Sequence, residues 1–232
     1  PRVLNDVSSI DTSSTFLGKK YRLPVVLGPI GSAEQLHTEG MLPAAKAAAE
    51  FGIGVFKSSV AIPDIEEAAE KSNAQLIFQL YVRGDEDWIN QHVDRVEAAG
   101  YAGFCLTVDS AKYGRRERDK VKNFTPARRS QVSGVNYQSA LNWNVVKRLR
   151  KKTKLPLVIK GIATAEDAVI AVDHGIDIIY ISNHGGRQLD YGRGSIEVLP
   201  EVVNAVGEKT TIIVDGGFYR GTDILKAIAL GA

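Results

Sequence analysis

Seven short apolar, β-rich runs alternate with segments of helical character, and this alternation constrains the fold more than any other property of the chain. The runs are Pro24–Leu27, Ile53–Phe56, Leu76–Leu80, Phe104–Val108, Leu157–Ile159, Ile178–Ile181 and Ile212–Val214. Between them lie Leu42–Phe51, Glu86–Ala99, Ala165–His174 and Ile196–Val206, which are amphipathic or alanine-rich. Glycines at 52, 100, 175 and 207 follow these segments and read as left-handed helix stops. Thr164 with Asp167 reads as a capping start. Strand, helix, strand in steady alternation implies parallel strands joined by right-handed crossovers. The units recur roughly every 22–33 residues, which suits an α/β TIM (β/α)8 barrel with seven of its eight strands present. A doubly wound open sheet is the alternative.

The spacing breaks once, between Val108 and Leu157, where no clear periodicity is visible. An insertion of that length reads as a functional loop. It is also basic. Residues 112–129 carry eight Lys or Arg against Glu117 and Asp119, a net +6 in a chain whose total is only +2. We therefore expect one barrel domain over 1–232, cut at both ends, with residues 111–141 forming a long basic loop over the active site. Such a loop suits a small anion, a phosphate or a membrane surface, and the charge is too local to suggest nucleic acid.

A single cysteine excludes an internal disulfide framework and a cysteine-rich metal site. No HExxH or Cys/His ligand spacing is present, so no metal is expected. No secretory signal or membrane-length apolar run occurs, and the expected location is the cytoplasm.

In a parallel barrel, chemistry gathers at the C-terminal strand ends. Here those ends read Gly28-Pro29-Ile30-Gly31, Ser58-Ser59, Gln79-Leu80-Tyr81, Thr107-Val108-Asp109, Lys160-Gly161, His184 and Asp215-Gly216-Gly217. Alternate residues of a strand share a face. Gln79 and Tyr81 should thus point inward, as should Cys105, Thr107 and Asp109, while Phe78, Leu80, Leu106 and Val108 meet the helices. Asp109 beside His184 would orient the imidazole as a general base. Arg187 and Arg116 could grip a carboxylate. Lys160 reads as a lone cation at the end of an apolar strand, suited to stabilising a delocalised anion or forming a Schiff base. The Asp215-Gly216-Gly217 turn could offer backbone N–H groups to a phosphate or a polar cofactor edge.

Together these residues resemble the FMN-dependent α-hydroxy-acid dehydrogenase/oxidase family, which includes glycolate oxidase, lactate oxidase, mandelate dehydrogenase and flavocytochrome b2. The resemblance spans nearly the whole chain. It rests above all on Ser182-Asn183-His184-Gly185-Gly186-Arg187-Gln188-Leu189-Asp190, with support from Phe78-Gln79-Leu80-Tyr81, Leu106-Thr107-Val108-Asp109, Gly114-Arg115-Arg116-Glu117, Ile159-Lys160-Gly161 and Arg220-Gly221-Thr222-Asp223. It implies FMN as cofactor and oxidation of a small anionic L-2-hydroxy acid to the 2-keto acid. By the same resemblance His184 is the base and Asp109 stabilises its imidazolium. Arg116 and Arg187 hold the substrate carboxylate, and Tyr81 bonds to the substrate. Lys160 would stabilise reduced FMN. Ser58, Gln79, Thr107 and the backbone at Pro29, Ile30 and Gly31 would hold the isoalloxazine. Asp215, Gly216, Gly217 and Arg220 would serve the ribityl-phosphate end. Oxygen, a quinone or a cytochrome would take the electrons, and a homo-oligomer, commonly a tetramer, is implied.

The chain departs from the family pattern at Val60, where many members carry Trp, and at Tyr219, where Arg is common. It also lacks an eighth strand and an N-terminal active-site Tyr. These departures leave two alternatives: a catalytically impaired fragment, or a non-redox FMN- or phosphate-binding barrel.

Overall fold

A computed structural model describes residues 3–124 and 136–232. Its centre is a seven-stranded, wholly parallel sheet in sequential order. The chain opens with a hairpin, β1 (Ser14–Phe16) and β2 (Lys19–Tyr21). The sheet strands follow as β3 (Val26–Leu27), β4 (Gly54–Ser58), β5 (Leu76–Leu80), β6 (Gly103–Thr107), β7 (Leu157–Ile162), β8 (Ile178–Ile181) and β9 (Thr211–Val214). All seven expected runs are therefore strands, each paired in parallel with the next. The curled half-barrel with helices outside is the TIM-barrel architecture, and the doubly wound alternative falls.

Eight helices accompany the strands among the described residues: α1 (Leu42–Phe51), α2 (Ile65–Ser72), α3 (Glu86–Ala98), α4 (Glu117–Val121), α5 (Trp143–Lys152), α6 (Ala165–Asp173), α7 (Ser195–Val206) and α8 (Gly221–Ala229). Gly52, Gly100 and Gly175 have the positive φ expected of helix stops. Gly207 does not: at φ −59 it simply prolongs the α7 backbone, its N–H bonded to Val203 O. Thr164 caps α6 by accepting from the Asp167 N–H at 3.2 Å.

The strands are buried on both faces, and the two faces hold separate clusters. Outside, Phe78, Leu80, Leu106 and Ile159 pack with helix residues such as Ala45, Val93, Val146 and Leu199. Inside, Phe56, Ile77, Cys105, Val158, Ile178 and Tyr180 fill the barrel. The period-two assignment thus holds for β5 and β6. Cys105 is fully buried with its thiol pushed up by desolvation, which makes it an inert filler.

Several elements escaped the sequence pattern, among them α2, α4, the opening hairpin and α5. The hairpin turns at Leu17 and Gly18, both at positive φ. It carries Phe16 and Leu17 against the interior cluster. Gln75 secures it by accepting from Tyr21 Oη at 2.7 Å and donating to Leu17 O at 3.0 Å. Helix α5 lies inside the stretch that reads as aperiodic. Only Val146 and Leu149 of α5 are buried, so its apolar stripe is too thin to stand out among six Lys and Arg between Lys147 and Lys154. Asn142 starts it by accepting from the Asn144 N–H at 3.0 Å.

Candidate active site at the strand ends

Register sets the site's floor. Ser58 stands opposite Gln79, Gln79 opposite Cys105, and Thr107 opposite Lys160. These inward polar side chains therefore form one layer above the apolar interior. Gln79 Nε2 donates to Thr107 Oγ1 at 2.7 Å, with both residues fully buried. In β7 the ladder slips between Lys160 and Ile162, so Gly161 is an extra, bulged residue. It sits at φ +114, and a Cβ there would lie 2.5 Å from Asp109 Cβ and 2.8 Å from Asp109 N. The bulge is thus what lets the β6 end close onto β7. Gly161→Ala is expected to displace Asp109 and cut turnover at least tenfold while the far-ultraviolet circular dichroism stays unchanged, since both strain and backbone contact oppose the methyl group.

His184 follows β8 in a tight turn at φ +58. The turn is held by Asn183 Oδ1, which accepts from the Gly186 N–H at 3.1 Å, and by Ser182 Oγ, which accepts from the His184 N–H at 3.1 Å. His184 Nδ1 lies 2.7 Å from Asp109 Oδ1, and His184 Nε2 lies 3.2 Å from Tyr81 Oη. A carboxylate can only accept, so Nδ1 carries the proton toward Asp109. The neutral ring then presents its Nε2 lone pair to Tyr81 and the cavity. Burial, followed by the Asp109 charge, pushes the Tyr81 phenol well up, so it remains a neutral donor.

Lys160 is not the lone cation that its strand suggests. Its Nζ donates to Ser182 Oγ at 2.6 Å and lies 3.5 Å from Asp215 Oδ2 and 3.8 Å from Asp109 Oδ2. Its side chain is only 6% exposed, so the charge is tolerable because two carboxylates flank it. Tyr180 closes the layer from β8: the ammonium lies 5.0 Å from its ring centroid. Burial, then the charge and hydrogen bonding of Asp215, holds its phenol protonated.

Above this layer is a cavity of about 1370 Å³. Tyr81, Arg116, Lys160, His184 and Arg187 line one part of it. Pro29, Ile30 and Gly31 form a second wall, and Asp215, Gly216, Gly217 and Arg220 a third. Gly216 and Gly217 are at positive φ, and Arg220 precedes α8, where Asp223 Oδ2 accepts from its N–H at 3.0 Å. Ser58, Gln79, Thr107 and Asp109 do not line the cavity; they lie in the polar layer with Lys160. Val60 is buried against Gly31, and Tyr219 is fully exposed beside Arg220. Of the basic segment, Tyr113, Arg116, Asp119 and Phe124 reach the cavity, with the Arg116 guanidinium 4.9 Å from the Tyr113 ring centroid. Arg128 and Arg129 lie outside the described residues.

Several buried polar atoms here have no hydrogen-bond partner: Gln79 Oε1, Asp109 Oδ2, Asp215 Oδ1 and Ser195 Oγ. Each such group costs on the order of 1–3 kcal/mol if left unmet. Three of them are acceptors, which suit a cofactor that brings N–H and hydroxyl donors, while the buried Lys160 cation beside the cavity suits its anionic part; FMN has that chemistry. Sequence reasoning missed Ser182, Tyr180 and Ser195. The first two share the inward parity of the signature strand and could have been found by it. Ser195, in the first turn of α7, left no such signal.

A barrel with a His–Asp pair, a buried lysine and a glycine-rich anion turn at its strand ends defines a flavin-type oxidoreductase site. The chain belongs to the FMN-dependent dehydrogenase family, whose model matches residues 1–232. It is 41% identical to a peroxisomal (S)-2-hydroxyacid oxidase of Arabidopsis thaliana, with 100% of this chain and 69% of that protein covered. It is 39% identical to an L-lactate oxidase of a Nostoc species, covering 71% of it. A mandelate oxidase crystal structure with (S)-2-phenylpropionate superposes with a TM-score of 0.91 at 39% identity, spanning 100% of this chain and 69% of that one. A mandelate oxidase variant carrying an FMN adduct superposes at 0.90. FMN is the cofactor of this family.

Proposed function

We propose that the protein oxidises an L-2-hydroxy acid to the 2-keto acid, with oxygen reoxidising the cofactor. The observation that carries this reading is the His184 arrangement: an imidazole whose Nδ1 is backed by Asp109 at 2.7 Å and which lines a cavity that Arg187 and Arg116 also line. Bound FMN supplies the two-electron acceptor, chemistry that no side chain here provides. Gln79, Thr107, Ser58 and the Pro29–Gly31 segment are suited to hold its ring. Lys160 offers positive charge toward it, and Asp215, Gly216, Gly217 and Arg220 suit its phosphate end.

The substrate leaves two electrons and two protons behind on becoming a keto acid. His184 Nε2 accepts one of those protons, the other would leave with the electron pair to the acceptor that FMN supplies, and Asp109 stabilises the resulting imidazolium across the Nδ1–H bond. Arg187 and Arg116 bind the carboxylate and thereby fix the hydroxyl carbon relative to His184. Tyr81 donates its hydroxyl hydrogen to the substrate oxygen, since its phenol does not ionise in this setting.

The relatives' names as oxidases favour oxygen over a quinone or cytochrome as acceptor. The homo-oligomer implied by the family resemblance belongs to the same proposal. Among the described residues no helix is long and apolar enough to cross a membrane. The test is an anaerobic panel of small and aromatic 2-hydroxy acids added to the FMN-loaded protein. Bleaching of the flavin bands is expected, with recovery on admitting air. Recovery only with a quinone or cytochrome would reassign the acceptor. Failure to bind FMN would instead point to an impaired fragment, and flavin that no 2-hydroxy acid reduces to a non-redox barrel.

A further inference from the structure

The two carboxylate-binding cations come from different elements. Arg187 lies in the turn after β8, whereas Arg116 caps α4 in the basic segment, 71 residues earlier in the sequence. One side chain joins the two elements directly. Gln188 Oε1 accepts a hydrogen bond from the Gly114 N–H at 3.0 Å. The backbones meet at that same point: a Cβ on Gly114 would lie 2.3 Å from Arg187 O and 2.9 Å from Gln188 O. Gly114 is therefore pressed against the carbonyls of residues 187 and 188, and only glycine allows the approach. Two residues on, the Arg116 Nε is buried without a hydrogen-bond partner, so the place of this guanidinium rests on its backbone and on the Tyr113 ring 4.9 Å away.

We propose that Gln188 is a positioning residue for substrate binding, a latch that holds Gly114 and so aims Arg116 at the carboxylate already facing Arg187. The inference rests on the proposed 2-hydroxy-acid reading and names the part of the chain that assembles its carboxylate clamp. Gln188 also lines the cavity, but its acceptor oxygen is engaged by the Gly114 N–H, and in this proposal it acts through Arg116. Its two donor hydrogens are dispensable to the latch, because only the acceptor oxygen, carried there by the length of the side chain, meets the Gly114 N–H.

The informative change is Gln188→Met, which keeps length and volume and removes the acceptor. In the FMN-loaded enzyme, KM for a 2-hydroxy acid is expected to rise about tenfold, as for loss of a charge-assisted carboxylate contact, with kcat changed less than about threefold. Flavin absorbance titration with a 2-keto acid should show the same weakening, whereas the corresponding uncharged keto amide should bind as it does to the parent protein. A merely structural role would weaken both ligands alike. Combining Gln188→Met with Arg116→Met should give no further loss of keto-acid affinity beyond Arg116→Met alone, because one change acts through the other. Gly114→Ala approaches the latch from the opposite side and should reproduce the carboxylate-selective defect. Unchanged KM, equal weakening of acid and amide, or additive losses in the double variant would each overturn the proposal. A parent protein that oxidises no 2-hydroxy acid would overturn the functional reading instead, and the two failures are thus separable.

Discussion

His184→Gln is expected to slow anaerobic flavin reduction by 2-hydroxy acid by about 10⁴-fold, the upper range for a positioned general base. Glutamine can still reach toward Asp109, so the pocket should keep its shape, but its amide does not take up a proton at neutral pH. FMN content and the visible spectrum of the resting protein should be unchanged, because His184 bonds to Asp109, Tyr81 and Ser182 rather than to the groups suited to hold the cofactor ring. Rapid-mixing measurement of flavin bleaching gives the rate, and the released flavin gives the content. A loss of only several-fold would remove His184 from the role of base.

Lys160→Met should strike stability as well as chemistry. Its ammonium stands between Asp215 at 3.5 Å and Asp109 at 3.8 Å, in a site almost closed to water. Removing it leaves the nearly buried Asp109 and the half-buried Asp215 without their shared cation and Ser182 without its donor. Breaking a buried charge set of this kind costs about 3–5 kcal/mol. For a chain of this size that corresponds to a fall in Tm of roughly 6–20 °C. FMN retention should fall in parallel, and cofactor-free protein should show the Tm loss too, which separates structure from cofactor binding. An unchanged Tm in the cofactor-free state would mean that the lysine serves the cofactor alone.

Much of this architecture was legible in the chain because strands buried on both faces produce short apolar runs that stand out between helical segments. The inward placement of Gln79, Cys105 and Thr107 followed from alternation alone, and the structure confirms that two-faced division. Alternation fails where the ladder slips. Gly161 bulges out of β7, and no periodic pattern marks a single inserted residue. Helix α5 was hidden for a related reason, since two buried residues make too weak a stripe among so many cations. The hairpin β1–β2 was hidden because its three-residue strands are shorter than a readable pattern.

The site shows the same division. His184, Arg187, Asp109 and Arg116 carried their chemistry in their identities and in their place at strand or loop ends. Lys160 could be read as a functional cation or as an ion-pair partner, but which acids it meets was not legible, because they lie 51 residues before it and 55 after it. The role of Gln188 was invisible for the same reason, since Gly114 is 74 residues away.

What the sequence determined by itself is the set of strands, the face each side chain takes and the inventory of acids, bases and cations at one rim of the barrel. These are local properties, set by a two-residue period and by residue type. Only the tertiary structure decided which of those groups touch. Distances between strand ends depend on the curl of the sheet, on register between strands and on the Gly161 bulge that draws Asp109 inward. No local pattern encodes them, because they are fixed jointly by the packing of the barrel's two faces.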